Sequence, residues 1–500
     1  MQRMPTGPLR SAWLFGASLA LACAMPAALA AQASASAAPT AGHELAARIE
    51  AAVDRPPLDR AHWGIVVLDP QSGDVLYERN ADRLFVPASN LKLVVASAAA
   101  DLLPADFRMR TSLYSTGPVR RGAIQGDLVV YGRGDPGISG RYHDDRMLAV
   151  WENLADSLAA RGIERVRGAV VADESWFDST HVHGDWEEYD QLWWYAAPVG
   201  ALGFNDNSID FRITPGEQGA PARIEWEPRT SYFTLANRTR TVAAGAERTL
   251  DFTRGGGDTI IAYGQVPTDA RAWTEYFAVQ DPARYAATVF REVLEERGIR
   301  VDEDEVRVVR AADRSVARAN PVELVGYDSQ PLADLIFPIL NASQNWFAEQ
   351  LLKALGREAG EGGSWDAGLD VEQRFLIERV GLDENDFALR DASGLSAGNL
   401  ITPRALARLL VYARSLDAVQ QAMPVSAGER GSLRSRFTDL PGRVRAKTGG
   451  IRNVDALAGY VTTDGGRELV FVVIGNGTAF PGATVRAAID DVVRAAAAAR

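Results

Sequence analysis

The chain has 500 residues, 47% of them hydrophobic, and a formal charge of -12. That size supports two or three packed domains, and ordinary Gly, Pro and charge contents exclude wholesale disorder. The acidic balance argues against nucleic acid and anionic membrane surfaces as partners.

The N-terminus reads as an export signal. Arg3 and Arg10 flank the start of an apolar run from Ala12 to Met25, and Ala28-Leu29-Ala30 is a small-x-small cleavage site. The run is too short to span a bilayer, and no later stretch is long enough, so the mature chain is expected to have no transmembrane anchor. Cys23, the sole cysteine, lies inside this signal. Cleavage after residue 30 leaves no thiol for a disulfide, a thiolate metal site or cysteine catalysis. Ala20-Leu21-Ala22-Cys23 also loosely matches a lipoprotein signal, which makes lipid anchoring through Cys23 the minor alternative. Residues 31–40 are small and polar, a flexible leader.

A helix is expected from His43 to Val53. A β-hairpin follows over 63–69 (WGIVVLD) and 74–78 (DVLYE). Leu91 to Leu103 has no Gly or Pro and reads as a buried helix, with Ser89 at its N-terminal edge. From 113 to 309 short alternating segments such as GDLVVYG, SIDFRI and DTIIAYG predict a mostly-β region of two subdomains, interrupted by one amphipathic helix over 281–297. Helices return with 331–355 and with the segment that Thr402-Pro403 opens, running to Ala413. Strands at 456–462 and 468–475 and a helix at 482–499 end the chain, with no tail beyond it for a C-terminal anchor.

Only three of the 53 basic residues are lysines: Lys92, Lys353 and Lys447. Where arginine is the ordinary cation, a retained lysine points to something arginine lacks, and a buried lysine can act as a neutral base. Ser89-Asn90-Leu91-Lys92 is an S-x-x-K, and residues three apart on a helix share a face, so the Lys92 amine reaches the Ser89 hydroxyl. Serine needs such a base to become a nucleophile. Burial and a neighbouring cation, for which Lys447 is the candidate, lower an ammonium pKa. Ser343-Gln344-Asn345 is an S-x-N expected at a helix start. There Ser343 can relay a proton to a leaving amine and Asn345 can bond a substrate amide, although alone the sequence reads as an N-cap. Lys447-Thr448-Gly449 is expected just before a strand, where ammonium and hydroxyl suit a carboxylate and glycine admits a substrate backbone. Each pattern alone is weak. All three in this order carry the argument.

This motif set is that of penicillin-binding proteins and class A β-lactamases. The chain resembles the low-molecular-mass class C penicillin-binding proteins, the D-Ala-D-Ala carboxypeptidase/endopeptidase family. The resemblance extends over GDLVVYGRGDP (126–136), ALGFNDN (201–207), SQNWFAEQLLK (343–353), DASGLSAGNLITP (391–403), GSLRSRF (431–437) and KTGGIRNVDALAGYV (447–461). It implies an α/β (α+β) penicillin-binding/β-lactamase-like transpeptidase domain, 41–112 and 310–500, with 113–309 as a large mostly-β insertion. It implies a periplasmic enzyme of the bacterial cell envelope that acts on peptidoglycan stem peptides and binds β-lactam antibiotics, with no cofactor or metal. Ser89 would be the nucleophile, Lys92 the base, and Ser343 with Lys447 the proton relay. Asn345 and Thr448 would hold substrate, Gly449 would admit its backbone, and the Ser89 and Gly450 amides would form the oxyanion hole. The family usually has Ser or Thr where this chain has Gly450, so a hydroxyl for the terminal carboxylate is missing.

Other signals weigh less. Gly394-Leu395-Ser396-Ala397-Gly398 matches a nucleophile elbow, but every histidine precedes it, so the order of that triad is lost. His181 and His183 read as loop residues rather than metal ligands. Trp186, Tyr189, Trp193, Trp194 and Tyr195 read as an inter-domain core rather than a sugar platform. Lys353 reads as structural, pairing with carbonyls at its helix end. The rivals are a β-lactamase or S-x-x-K esterase, disfavoured by the 113–309 region and the lack of an E-x-x-x-N deacylation motif, and a silent cell-wall-binding protein, disfavoured by the intact Ser and Lys set.

Overall fold

A computed structural model describes residues 41–311 and 323–499. The readings of 1–30 and 31–40 lie outside the described residues. The framework of the motif-bearing part is a five-stranded antiparallel sheet in the order Val75–Arg79, His62–Leu68, Glu468–Asn476, Val454–Thr462, Val444–Ile451. Its central strand, Glu468–Asn476, is apolar on both sides because both faces are covered. Leu469, Phe471 and Val473 pack beneath the helices Ala41–Val53 and Gly482–Ala497. Val470, Val472 and Ile474 face a larger core with the helices Lys92–Leu102, Leu332–Asn341, Asn345–Ala359 and Pro403–Ala413.

 The last third of Lys92–Leu102 aside, every side chain of that helix is buried, so its position is fixed by packing and not by caps.

The region from 110 to 328 holds a second five-stranded sheet, in the order Arg307–Val309, Val170–Asp173, Leu128–Tyr131, Arg110–Ser115, Glu323–Asp328. Two of its pairings are parallel, and parallel neighbours need crossover connections. The helix Ala149–Ala160 lies between the strands Leu128–Tyr131 and Val170–Asp173, and Pro282–Glu296 precedes Arg307–Val309. The first of these helices is absent from the alternating reading, although Val150, Trp151, Leu154, Ala155 and Leu158 form its buried stripe. Smaller sheets lie in the same region, among them Arg223–Glu227/Ser208–Thr214/Trp273–Ala278 and Thr234–Asn237/Thr259–Tyr263/Asp251–Arg254.

Three local expectations change at the motifs. The S-x-x-K begins in a 3-10 turn, Ala88–Leu91, and the α-helix starts at Lys92 itself. The helix expected over 331–355 is two helices, Leu332–Asn341 and Asn345–Ala359. Ser343 between them has φ 60°, and the Gln344 N–H donates to the Pro338 carbonyl at 3.0 Å. The left-handed residue stops the first helix, with serine where glycine is usual, at a cost of roughly 1–2 kcal/mol. Lys447-Thr448-Gly449 lies within the edge strand Val444–Ile451 and not before a strand.

Candidate active site

The edge strand, the Ala88–Leu91 turn and the Ser343 stop meet. Lys92 Nζ lies 2.9 Å from Ser89 Oγ, 2.6 Å from Asn345 Oδ1 and 2.7 Å from the Ser393 carbonyl. Lys447 Nζ donates to Ser343 Oγ at 2.7 Å and to the Thr448 carbonyl at 2.8 Å. Ser343 therefore does not cap its helix by a side-chain bond, and neither does Gln344 at the N-cap position. The left-handed backbone at Ser343 turns its hydroxyl onto Lys447 instead. Asn345 is doubly engaged, because its Nδ2 also donates to the Tyr195 carbonyl at 2.7 Å.

Both lysines are fully buried. Burial lowers the Lys92 pKa to about 7, against the opposing pull of Glu349 and Asp391. Lys447 is pushed well below its usual value by burial and then by the charge of Lys92. Desolvation is the largest cause at both lysines, ahead of the repulsion between them. A neutral Lys92 amine has two N–H bonds and one lone pair. Asn345 Oδ1 and the Ser393 carbonyl can take both N–H bonds, leaving the lone pair for the Ser89 hydroxyl.

The carboxylates behind Lys92 escaped the sequence reading. Glu349, one turn after Asn345 on the same helix, accepts from the backbone N–H of Ser393 at 2.8 Å and of Ala392 at 3.2 Å, and from Trp365 Nε1 at 2.8 Å. Asp391 accepts from the Gly394 N–H at 2.8 Å and from Trp186 Nε1 at 3.0 Å. The peptide between Ser393 and Gly394 therefore offers its N–H to Asp391 and its carbonyl to Lys92. Little in the sequence warned of either: Glu349 has Lys353 four residues on, the spacing of an ordinary helix-surface ion pair, and Asp391 opens a segment rich in Gly and Ser.

Two glycines allow these elements to meet. A Cβ on Gly449 would come within 2.7 Å of the Pro87 carbonyl. Gly394 has φ 76°, and a Cβ there would overlap the Ala88 carbonyl, next to Ser89. That contact, and not a nucleophile elbow, accounts for the G-x-S-x-G match; Ser396 Oγ donates to Asp185 at 2.8 Å. Gly394→Ala should lower stability by at least ~1–3 kcal/mol and displace Ser89. A thermal melt and an acylation assay check this, and an alanine variant with native melting and native rate would show that the turn tolerates the overlap.

Ser89, Ser343, Thr448, Gly449 and Gly450 line a cleft of about 490 Å³. A larger cleft, about 610 Å³ and lined by Arg141, Asp206, Asp210, Glu227 and Gln344, contains no comparable nucleophile and base. His181 faces Glu174 at 3.0 Å, whereas His183 packs against Trp186 and Trp365, so the two do not converge. The aromatic cluster divides: Trp186 is buried with the motif helices, Trp193 packs on the core of the 110–328 region, and Tyr189 is exposed. Lys353 does not pair with helix-end carbonyls. Its Nζ binds Asp178 at 2.7 Å and the Thr180 carbonyl at 2.5 Å, and sits 3.8 Å from the Trp365 ring centre.

Residues 45–498 match the model of the D-Ala-D-Ala carboxypeptidase 3 (S13) family. The chain is 36% identical to the D-alanyl-D-alanine carboxypeptidase of Actinomadura sp. (strain R39), covering 95% of this chain and 86% of that protein. It is 25% identical to the D-alanyl-D-alanine carboxypeptidase DacB of Haemophilus influenzae, over 83% and 85% of the two chains. The crystal structure of penicillin binding protein 4 from Haemophilus influenzae superposes with a TM-score of 0.78 at 22% identity, covering 90% of this chain and 97% of that one. The same fold recurs, at a TM-score of 0.73, in its complex with a novel beta-lactam. With a family match over nearly the whole described chain and a 36% identical relative covered to 86%, this protein belongs to the D-Ala-D-Ala carboxypeptidase 3 (S13) family and is a serine hydrolase, a D-Ala-D-Ala carboxypeptidase.

Proposed function

We propose that the enzyme cleaves D-Ala-D-X bonds of peptidoglycan, both at stem-peptide ends and in cross-links, through an acyl-enzyme on Ser89, and that β-lactams acylate the same serine. The observation that carries the reading is the buried Lys92 amine, 2.9 Å from Ser89 Oγ, with a pKa near 7. Lys92 takes the Ser89 proton as Oγ attacks the carbonyl, and the Ser89 and Gly450 amides hold the oxyanion. The proton that Lys92 took then passes by way of Ser343, bonded to Lys447, to the departing D-amino acid nitrogen, which leaves Lys92 neutral again. Water, deprotonated by Lys92, then releases the acyl group. Asn345 fixes Lys92 and has one N–H left for the acyl-side amide. Thr448 binds the terminal carboxylate, and Gly449 lets the substrate backbone run close to the strand.

An export signal in residues 1–30 would bring the enzyme to the periplasm, where this substrate lies. Among the described residues no helix is long and apolar enough to cross a membrane. The separate sheet of the 110–328 region supports treating 113–309 as an insertion between the two parts of the catalytic domain. The β-lactam complex of a protein with the same fold supports covalent capture of such drugs.

The test is release of D-Ala from an acylated D-Ala-D-Ala peptide, together with cleavage of a cross-linked dimer. The expected result is release by the wild type and none by Ser89→Ala. Rapid turnover of penicillin with no release of D-Ala would favour a β-lactamase instead.

A further inference from the structure

We propose that Arg486 is a specificity-determining residue: its guanidinium binds the C-terminal carboxylate of the substrate, in place of the hydroxyl that position 450 lacks. The inference rests on the D-Ala-D-Ala reading above.

Side chains alternate along the edge strand Val444–Ile451. Val444 and Ala446 pack into the core beneath the C-terminal helix Gly482–Ala497. Thr448 and Gly450, two and four residues after Ala446, share that face, whereas Gly449 abuts the turn that carries Ser89. The wall of the cleft on this face is built by Ser432, Ser435, Arg436 and, from the C-terminal helix, Arg486. Strand register sets Asp455 directly opposite Gly450. Arg486 Nη1 lies 3.3 Å from Asp455 Oδ1. The guanidinium is thereby held beside the strand position whose side chain is missing.

The space in front of it is open. A Cβ built on Gly450 would meet nothing nearer than the Val454 carbonyl at 4.0 Å. Arg486 is half exposed, and its bond to Asp455 is long. A guanidinium has five N–H donors in a planar fork, so that bond leaves others for a second carboxylate. Arg436 is committed differently: it is mostly buried and pairs with Asp490.

The substrate's last residue follows the scissile bond directly. Its carboxylate therefore lies within about one residue length, roughly 3.5 Å, of the scissile nitrogen. A chain whose reacting carbonyl sits at Ser89 and which follows the strand past Thr448 brings that carboxylate to this wall. Thr448 Oγ1 supplies one hydroxyl there, shared with Ser432 Oγ at 3.0 Å. Without a residue-450 hydroxyl, Arg486 is the cation placed to supply the remaining charge-assisted bond.

The test compares two acyl-D-Ala-D-Ala peptides, one with a free C-terminal carboxylate and one with a C-terminal carboxamide, on wild type and Arg486→Gln. Arg486 is at the surface, so the variant is expected to fold, and a melt checks this. The expected result is a loss of roughly tenfold or more in kcat/KM on the carboxylate and little change on the carboxamide, with Gly450→Thr in the same background restoring part of the loss. Equal loss on both peptides, or no loss on the carboxylate, would overturn the assignment. Failure of the wild type to cleave either peptide would instead overturn the D-Ala-D-Ala reading, and this inference with it.

Discussion

Lys92→Arg is expected to abolish acylation nearly as completely as Lys92→Ala, lowering its rate by ~10²–10⁴-fold. Arginine keeps the charge but gives up no proton in a protein. It is also the wrong shape for a fully buried site in which one nitrogen reaches Ser89 Oγ, Asn345 Oδ1 and the Ser393 carbonyl together. The sign of the pH dependence follows from the same site. In the proposed mechanism Lys92 is the base when neutral, and burial lowers its pKa to about 7. The wild-type acylation rate should therefore rise with pH through about 7 and then level off. Stopped-flow acylation by a chromogenic β-lactam measures both quantities. An arginine variant within tenfold of wild type, still rising through the same pH, would make Lys92 an electrostatic residue and not the base.

Glu349→Gln should move that midpoint to lower pH. Four ionisable groups surround Glu349: Lys92, Asp391, Glu372 and, one turn along its own helix, Lys353. Burial raises the Glu349 pKa, and Asp391 raises it further. Glu372 is buried without a hydrogen-bond partner among the described residues, and burial pushes its pKa well up. Lys353 is turned to Asp178. Glu349, ionised above its own raised pKa of about 7, and Asp391 are thus the negative charges that hold up the Lys92 pKa against burial. Removing one makes Lys92 easier to deprotonate and a weaker base. The expected profile has a lower midpoint and a lower plateau. A purely structural role, fixing the 392–393 backbone, would lower the rate at every pH and leave the midpoint in place.

The contrast between Lys92 and Glu349 shows what the sequence could reveal. Ser89, Lys92, Ser343, Asn345, Lys447 and Thr448 stand in three short patterns, and a scarcity of lysine drew attention to two of them. The structure brings these six residues together because the patterns lie on a turn, a helix stop and an edge strand that pack side by side. Glu349 and Asp391 had no such visibility: an acid four residues before a lysine on a helix reads as a solvated ion pair, and an aspartate before a Gly- and Ser-rich loop as a turn residue, until the fold buries them. Ser343 was legible only with the other two patterns beside it. Its hydroxyl fits an N-cap in sequence, but a left-handed backbone directs it to Lys447. The Ala149–Ala160 helix was missed because its apolar stripe lies between short strand-like segments, and only the parallel pairing of the flanking strands requires a crossover there. Lys353 was recognised as structural, but its partner Asp178 lies 175 residues away in sequence, beyond the reach of local pattern.

The central claim, that Ser89 is a nucleophile activated by Lys92, is tested most directly by mass spectrometry of the protein after exposure to penicillin. The expected result is a single penicilloyl adduct on the peptide containing Ser89, absent from a Ser89→Ala variant whose melting is little changed. A persistent adduct in that variant, or an adduct mapped to Ser343 or Ser396 in the wild type, would contradict it.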